Sequence, residues 1–100
     1  MPDLAVGAGD PARGRGLMAH YQCGACHLIP GVAGAQGTVG PPLEHFGRRS
    51  YIAGELPNRT ATLRAWIVDP PALVPGTTMP RLGVGAADAR DMAAYLETLR

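Results

Sequence analysis

Apolar and polar positions divide the chain into three helical stretches separated by segments without a period. Residues 1–9 are rich in Ala and Gly and read as a tail or linker stub, leaving 10–100 as the folded domain. Asp10-Pro11 opens the first helix, because Asp is a good N-cap and Pro suits the first helical position. The pattern carries this helix to about Gln22. Gly14 and Gly16 are poor helix formers, each costing up to ~1 kcal/mol relative to Ala. Their presence predicts close approach of another helix, with Met18 packing one turn beyond Gly14. From Leu28 to Pro57 the pattern breaks into loop, held extended at Gly40-Pro41-Pro42, with a short helical turn at Leu43–Phe46. A second helix is expected over Asn58–Asp69: Asn58 or Thr60 caps it, Leu63, Trp66 and Ile67 form its apolar stripe, and Pro70-Pro71 stops it. The third spans about Ala86–Leu99, with Ala89, Met92, Ala93, Leu96 and Leu99 on one face and Tyr95 at the edge. Small residues on that face and the glycines of the first helix predict a close crossing of the two, so that the chain ends meet. The expected architecture is all-α, three main helices plus loops.

The chemistry concentrates at Cys23-Gly24-Ala25-Cys26-His27. Two cysteines three apart followed by His form the c-type haem attachment signature: each thiol can add across a vinyl group, and the imidazole can bind iron from below the ring. A CxxC pair also serves thioredoxin-like redox chemistry or half a zinc site. Zinc would need a second Cys/His cluster, and thioredoxin chemistry a βαβ pattern; the chain carries neither. The reading is therefore one covalent haem c on Cys23 and Cys26, with His27 as the proximal ligand. A ligating His usually donates its second ring N–H to an acceptor, and the carbonyl of Pro41 is the candidate. For the opposite face of iron, Met79 lies in a stiff loop, Pro75-Gly76-Thr77-Thr78-Met79-Pro80, which presents a thioether without a hydrogen-bond cost. Met18 and Met92 sit on helical stripes and are explained by packing, and His20 and His45 belong on the surface. Trp66, the only Trp of an aromatic-poor chain, is read as a wall of the haem pocket rather than ordinary core.

Composition strengthens this picture. One hundred residues with 14 Gly and 10 Pro leave little regular structure and a small core. A covalently held macrocycle would supply the missing centre. Every basic residue is Arg, and the formal charge of +1 becomes negative once haem propionates are added. That argues against a nucleic acid or an anionic membrane as partner, since both need a basic patch. No stretch approaches the length of a membrane-spanning helix, so direct insertion of this segment is not expected. Met1-Pro2-Asp3-Leu4 lacks the basic start and apolar core of a signal peptide. Thioether formation takes place outside the cytoplasm, so a leader, anchor or preceding domain is expected upstream of residue 1, with the protein on the periplasmic or extracytoplasmic side.

Over roughly residues 9–99 the chain resembles class I cytochrome c. The resemblance is carried by Gly9-Asp10, Gly14, Cys23-Gly24-Ala25-Cys26-His27, Gly40-Pro41, Phe46-Gly47-Arg48, Asp69-Pro70, Pro75-Gly76-Thr77-Thr78-Met79 and Tyr95-Leu96. More narrowly, Leu56-Pro57-Asn58, Leu63, Ala65-Trp66-Ile67 and Met79-Pro80 are similar to the cytochrome c domain of subunit II of caa3-type cytochrome oxidases. The resemblance implies His27/Met79 ligation and places Arg48 or Arg49 near a haem propionate. It implies a monomeric one-electron carrier, not an enzyme by itself, working with redox protein partners: the copper centre of a terminal oxidase, or a bc1-type or cytochrome donor. Neutral residues Gln22, Ala25, Ala72 and Thr78 are expected at the electron-transfer edge. A free-standing periplasmic shuttle is the alternative, followed by a peroxidase or gas-sensing domain with a labile Met79, for which only Thr77, Thr78 and Arg81 could act as distal polar groups. A role in interaction alone would leave the ligand set without a purpose.

Overall fold

A computed structural model describes residues 9–100. Residues 1–8, most of the expected tail, lie outside the described residues. Helix α1 runs Pro11–His20. Asp10 caps it as expected, its carboxylate accepting from the amides of Ala12 (3.0 Å) and Arg13 (3.2 Å), with Pro11 in the first turn. The helix ends two residues before the expected Gln22, because Gln22 takes a left-handed conformation (φ 59°) that turns the chain into a 3₁₀ turn at Cys23–Ala25.

The short helical turn expected at Leu43–Phe46 falls instead at Phe46–Arg48, as a second 3₁₀ turn, and the segment expected to be loop also contains a small hairpin. Strand β1 (Tyr51–Ile52) runs antiparallel to β2 (Leu56–Pro57), pairing Tyr51 with Pro57 and Ile52 with Leu56. At the turn, Ala53 (φ 53°) and Gly54 (φ 73°) are both left-handed and the Glu55 amide donates to the Ile52 carbonyl (3.1 Å), the geometry of a type I′ turn. Strands of two residues are too short to show a period of two.

Helix α2 spans Thr60–Val68, burying Leu63, Trp66 and Ile67 as the stripe predicts. Its N-terminus differs from expectation: Arg59 occupies the cap position and no side chain caps the helix. The Asn58 amide donates instead to the carbonyls of Phe46 (3.1 Å) and Arg49 (2.9 Å), tying the 3₁₀ turn to the hairpin. Thr60 is the first helical residue, and its hydroxyl donates to Glu97 across the interface (2.6 Å). Pro70 ends one helix and starts another, the single turn α3 (Pro70–Leu73), because its missing N–H is harmless at a first position.

Helix α4, Ala86–Thr98, buries Ala89, Met92, Ala93 and Leu96. It crosses α1 on one side and packs on α2 on the other. At the crossing the two backbones touch: a Cβ on Gly14 would lie 1.8 Å from the Asp91 carbonyl oxygen. Gly16, expected to share that role, faces open space. The crossing is also tied by charge. Buried Asp91 accepts from the Asp10 amide (2.8 Å), from Arg13 (2.6 Å) and from Arg90 (3.1 Å), and Asp88 accepts from Arg13 (2.7 Å) and the Tyr21 hydroxyl (2.6 Å). The three helices thus form one side of the molecule, and the loops between α1 and α2 and between α3 and α4 close around the other.

Candidate haem site

Between the helices and those loops lies an apolar cavity of about 550 Å³. Its helical wall is Met18 from α1, Leu63, Trp66 and Ile67 from α2, and Met92 and Leu96 from α4. Two of the methionines that packing alone was expected to explain therefore also face the cavity. The hairpin contributes Tyr51–Gly54, a wall with no signal in the sequence beyond the glycine of its turn.

Cys23, Cys26 and His27 reach this cavity from the 3₁₀ turn that follows α1. The turn is closed by Cys26 and His27 amides donating to the Cys23 carbonyl (3.2 and 3.1 Å), which brings both thiols and the imidazole to one wall. The loop that follows is laced back onto the motif: Gly37 donates to the Gly24 carbonyl (3.0 Å) and Gly40 to that of Cys26 (2.7 Å). His27 Nδ1 lies 2.7 Å from the Pro41 carbonyl. A carbonyl can only accept, so Nδ1 carries a proton, and in the neutral ring the lone pair then sits on Nε2. Burial pushes the Cys23 thiol up, opposite to the activated thiolate of a thioredoxin-like centre. Among the described residues no group of three or more His, Cys, Asp or Glu could hold a zinc ion.

Met79 is half-buried in the non-helical loop after α3 and lines the same cavity. Its amide donates to the Thr77 hydroxyl (3.3 Å), and Thr77 N–H to the Val74 carbonyl (3.1 Å), so the loop is folded on itself rather than held by prolines alone. Pro41, Arg49 and Trp66 also line the cavity, whereas Arg48 is exposed on the 3₁₀ turn and does not. Arg48 is the last residue of the 3₁₀ turn and Arg49 follows it in extended backbone (φ -78°, ψ 144°), so the chain changes course between them. His20 and His45 are exposed and lie outside the lining. Of the neutral residues expected at the edge, Thr78 lines the cavity, but Ala72 lies in a separate groove between α2, α3 and α4.

The donor set and walls fit a haem: two thiols on one side, an imidazole with a free lone pair, a thioether from another loop, and apolar surface between. Residues 11–100 match the family model "Cytochrome c". The chain belongs to the cytochrome c family. Members bind haem c and carry electrons, and Cys23 and Cys26 stand in the CxxCH arrangement that this requires. The chain is also similar to "Cytochrome c oxidase subunit 2" of Alkalihalophilus pseudofirmus (strain ATCC BAA-2126 / JCM 17055 / OF4), 36% identical over 89 residues, covering 88% of this chain. That stretch is 25% of the relative, so this cytochrome c chain spans about a quarter of the length of the curated protein it matches. Among solved structures, SoxXA from P. pantotrophus shares the fold with a TM-score of 0.69 and 26% identity, over 91% of this chain and 82% of that one.

Proposed function

We propose that this cytochrome c chain holds one haem c through thioethers at Cys23 and Cys26, with His27 and Met79 as axial ligands, and passes single electrons to a redox protein on the extracytoplasmic side of a membrane. The observation that carries the reading is the meeting of these four side chains at one apolar cavity although Met79 lies far along the chain from the motif. Similarity to an oxidase subunit 2 supports delivery to a terminal oxidase as a domain of such a subunit.

When bound, haem supplies an iron that takes up and releases one electron. The residues keep everything else still. The Pro41 carbonyl holds the Nδ1 proton of His27, fixing the tautomer and leaving Nε2 to bind metal. A thioether from Met79 would favour the reduced form of the group and so raise its potential. His27 and Met79 would both be taken up in holding the group, which would leave no site for a small-molecule ligand, the property of a carrier. Leu63, Ile67, Met92 and Leu96 exclude water from the walls. Arg49 lines the cavity and would offer positive charge to a propionate, and Trp66 walls the pocket.

Met79→Ala tests the assignment. The variant should lose the sulfur-to-iron absorption band of the oxidised protein, and its potential should fall by on the order of 100 mV or more, within the ~0.8 V range over which axial ligands set haem potentials. It should also bind carbon monoxide readily when reduced. A variant that keeps the band and the potential would rule out Met79 as ligand.

A further inference from the structure

We propose that Arg49 is a positioning residue for His27, acting through the Gly40–Pro42 segment. The inference rests on His27 being the iron ligand proposed above and concerns what fixes the orientation of its ring.

The imidazole is held on its edge and on its face. On the edge, Nδ1–H donates to the Pro41 carbonyl at 2.7 Å. On the face, a Cβ added to Gly40 would lie 2.3 Å from Cε1, 2.7 Å from Nδ1 and 3.0 Å from Nε2, so the Gly40 backbone is pressed flat against the ring. Neither contact can hold the imidazole unless residues 40–42 themselves stay in place. Their own means of doing so are few. Gly40 N–H donates to the Cys26 carbonyl, but Pro41 and Pro42 have no N–H to give. The next backbone anchor is Leu43, donating to the Leu28 carbonyl (2.8 Å).

Arg49 closes that gap from the acceptor side. Its Nη2 donates to the Pro42 carbonyl and also to that of Glu44 (3.1 Å), spanning the chain just past the clamp. The guanidinium is itself fixed over the face of buried Phe46, 5.6 Å from the ring centroid. Charge-assisted bonds from a planar, always-charged fork are strong and directional, and an ammonium cannot reproduce them. Arg48, one residue earlier and exposed, has no recorded bond to this segment and serves as an internal control.

The test compares Arg49→Gln, Arg49→Lys and Arg48→Gln in the haem-loaded protein. NMR of the reduced form measures solvent exchange of the His27 Nδ1 proton, and electron paramagnetic resonance of the oxidised form reads the g-anisotropy set by the imidazole plane. Arg49→Gln should exchange on the order of tenfold faster, as expected when a charge-assisted bond is removed, with altered g-values. Arg49→Lys should be intermediate and Arg48→Gln unchanged. Folded Arg49 variants with wild-type exchange and g-values would overturn the proposal. Should the variants not fold, the wild type decides: a nuclear Overhauser contact between Gly40 α-protons and the His27 ring, with slowly exchanging Arg49 guanidinium protons, supports the clamp, and their absence overturns it. A wild type whose iron is not His/Met-ligated would sink the ligation reading itself, a result distinct from normal ligation that is indifferent to Arg49.

Discussion

An alanine at position 14 would set its methyl 1.8 Å from the Asp91 carbonyl oxygen, whereas at position 16 the same methyl would meet nothing within 4 Å. Both glycines lie inside α1, where intrinsic propensity favours Ala over Gly by up to ~1 kcal/mol. At position 16 that preference acts unopposed. At position 14 the obstacle is backbone, which cannot swing aside like a flexible side chain, and overpacking of this kind costs ~1–3 kcal/mol. Steric conflict wins there. Gly16→Ala should therefore raise the thermal midpoint by a few degrees, and Gly14→Ala should lower it by about 5–15 °C, given ~4–8 °C per kcal/mol in a domain of this size. Calorimetry of the oxidised holoprotein measures both, and midpoints moving in the same direction would contradict the crossing geometry. Nothing in the sequence separates the two glycines. Each breaks the helical pattern equally, and only the partner helix decides which one is needed.

The pairing of α1 with α4 has a pH dependence that follows from Asp91. Burial alone would raise its carboxyl, but the Asp10 amide and the guanidiniums of Arg90 and Arg13 bind the charged form and hold it at about 2. Asp88 is lowered in the same sense by the Tyr21 hydroxyl and by Arg13. A carboxyl whose pKa is lower folded than unfolded, where it is ~3.9, stabilises the fold above the unfolded value. That contribution shrinks as pH falls and is gone below the folded value. Asp91→Asn should be less stable than the wild type at pH 7 by about 1–2 kcal/mol, and the gap should close between about pH 4 and pH 2. Urea unfolding at a series of pH values measures it; a gap independent of pH would assign the effect to shape instead of charge. The helices themselves were legible because their stripes are long enough to show a period, and Asp10-Pro11 marks a start by local chemistry. The site residues were legible for another reason: CxxCH and the Pro-flanked Met79 are short patterns whose chemistry is stated by residue type. The hairpin was not, because strands of two residues show no period; nor were the uncapped start of α2 and the Asp91 network, which depend on partners elsewhere in the chain. Asn58 looks like a cap until the carbonyls of Phe46 and Arg49 are seen to claim it. Arg48 and Arg49 are alike as residues and are separated only by the course of the chain.

At the scale of the whole molecule, the cavity is lined in part by exposed apolar side chains. Val39, Tyr51 and Leu82 line it while remaining 77%, 60% and 41% exposed, and Thr78 joins them. Arg13, Asp88, Arg90 and Asp91 neutralise one another at the α1–α4 crossing. With a formal charge of +1 before haem, the molecule has no large net charge to steer a partner from a distance. A redox protein that docks over Val39, Tyr51 and Leu82 would meet apolar side chains, whose attraction does not depend on ionic strength. Strong steering raises association rates by 10–10³ and is lost as salt screens it. The Debye length contracts from about 30 Å at 0.01 M to about 8 Å at 0.15 M. Across that interval, the second-order rate of electron transfer from the reduced holoprotein to a solubilised terminal oxidase should change by less than about threefold, measured by stopped flow. Replacing Tyr51 or Leu82 with Ser should slow the reaction at every salt concentration alike, since it removes apolar contact without adding charge. A fall of about tenfold or more with added salt would mean that charged residues beyond the mouth guide the encounter, and that the apolar rim is not the docking face.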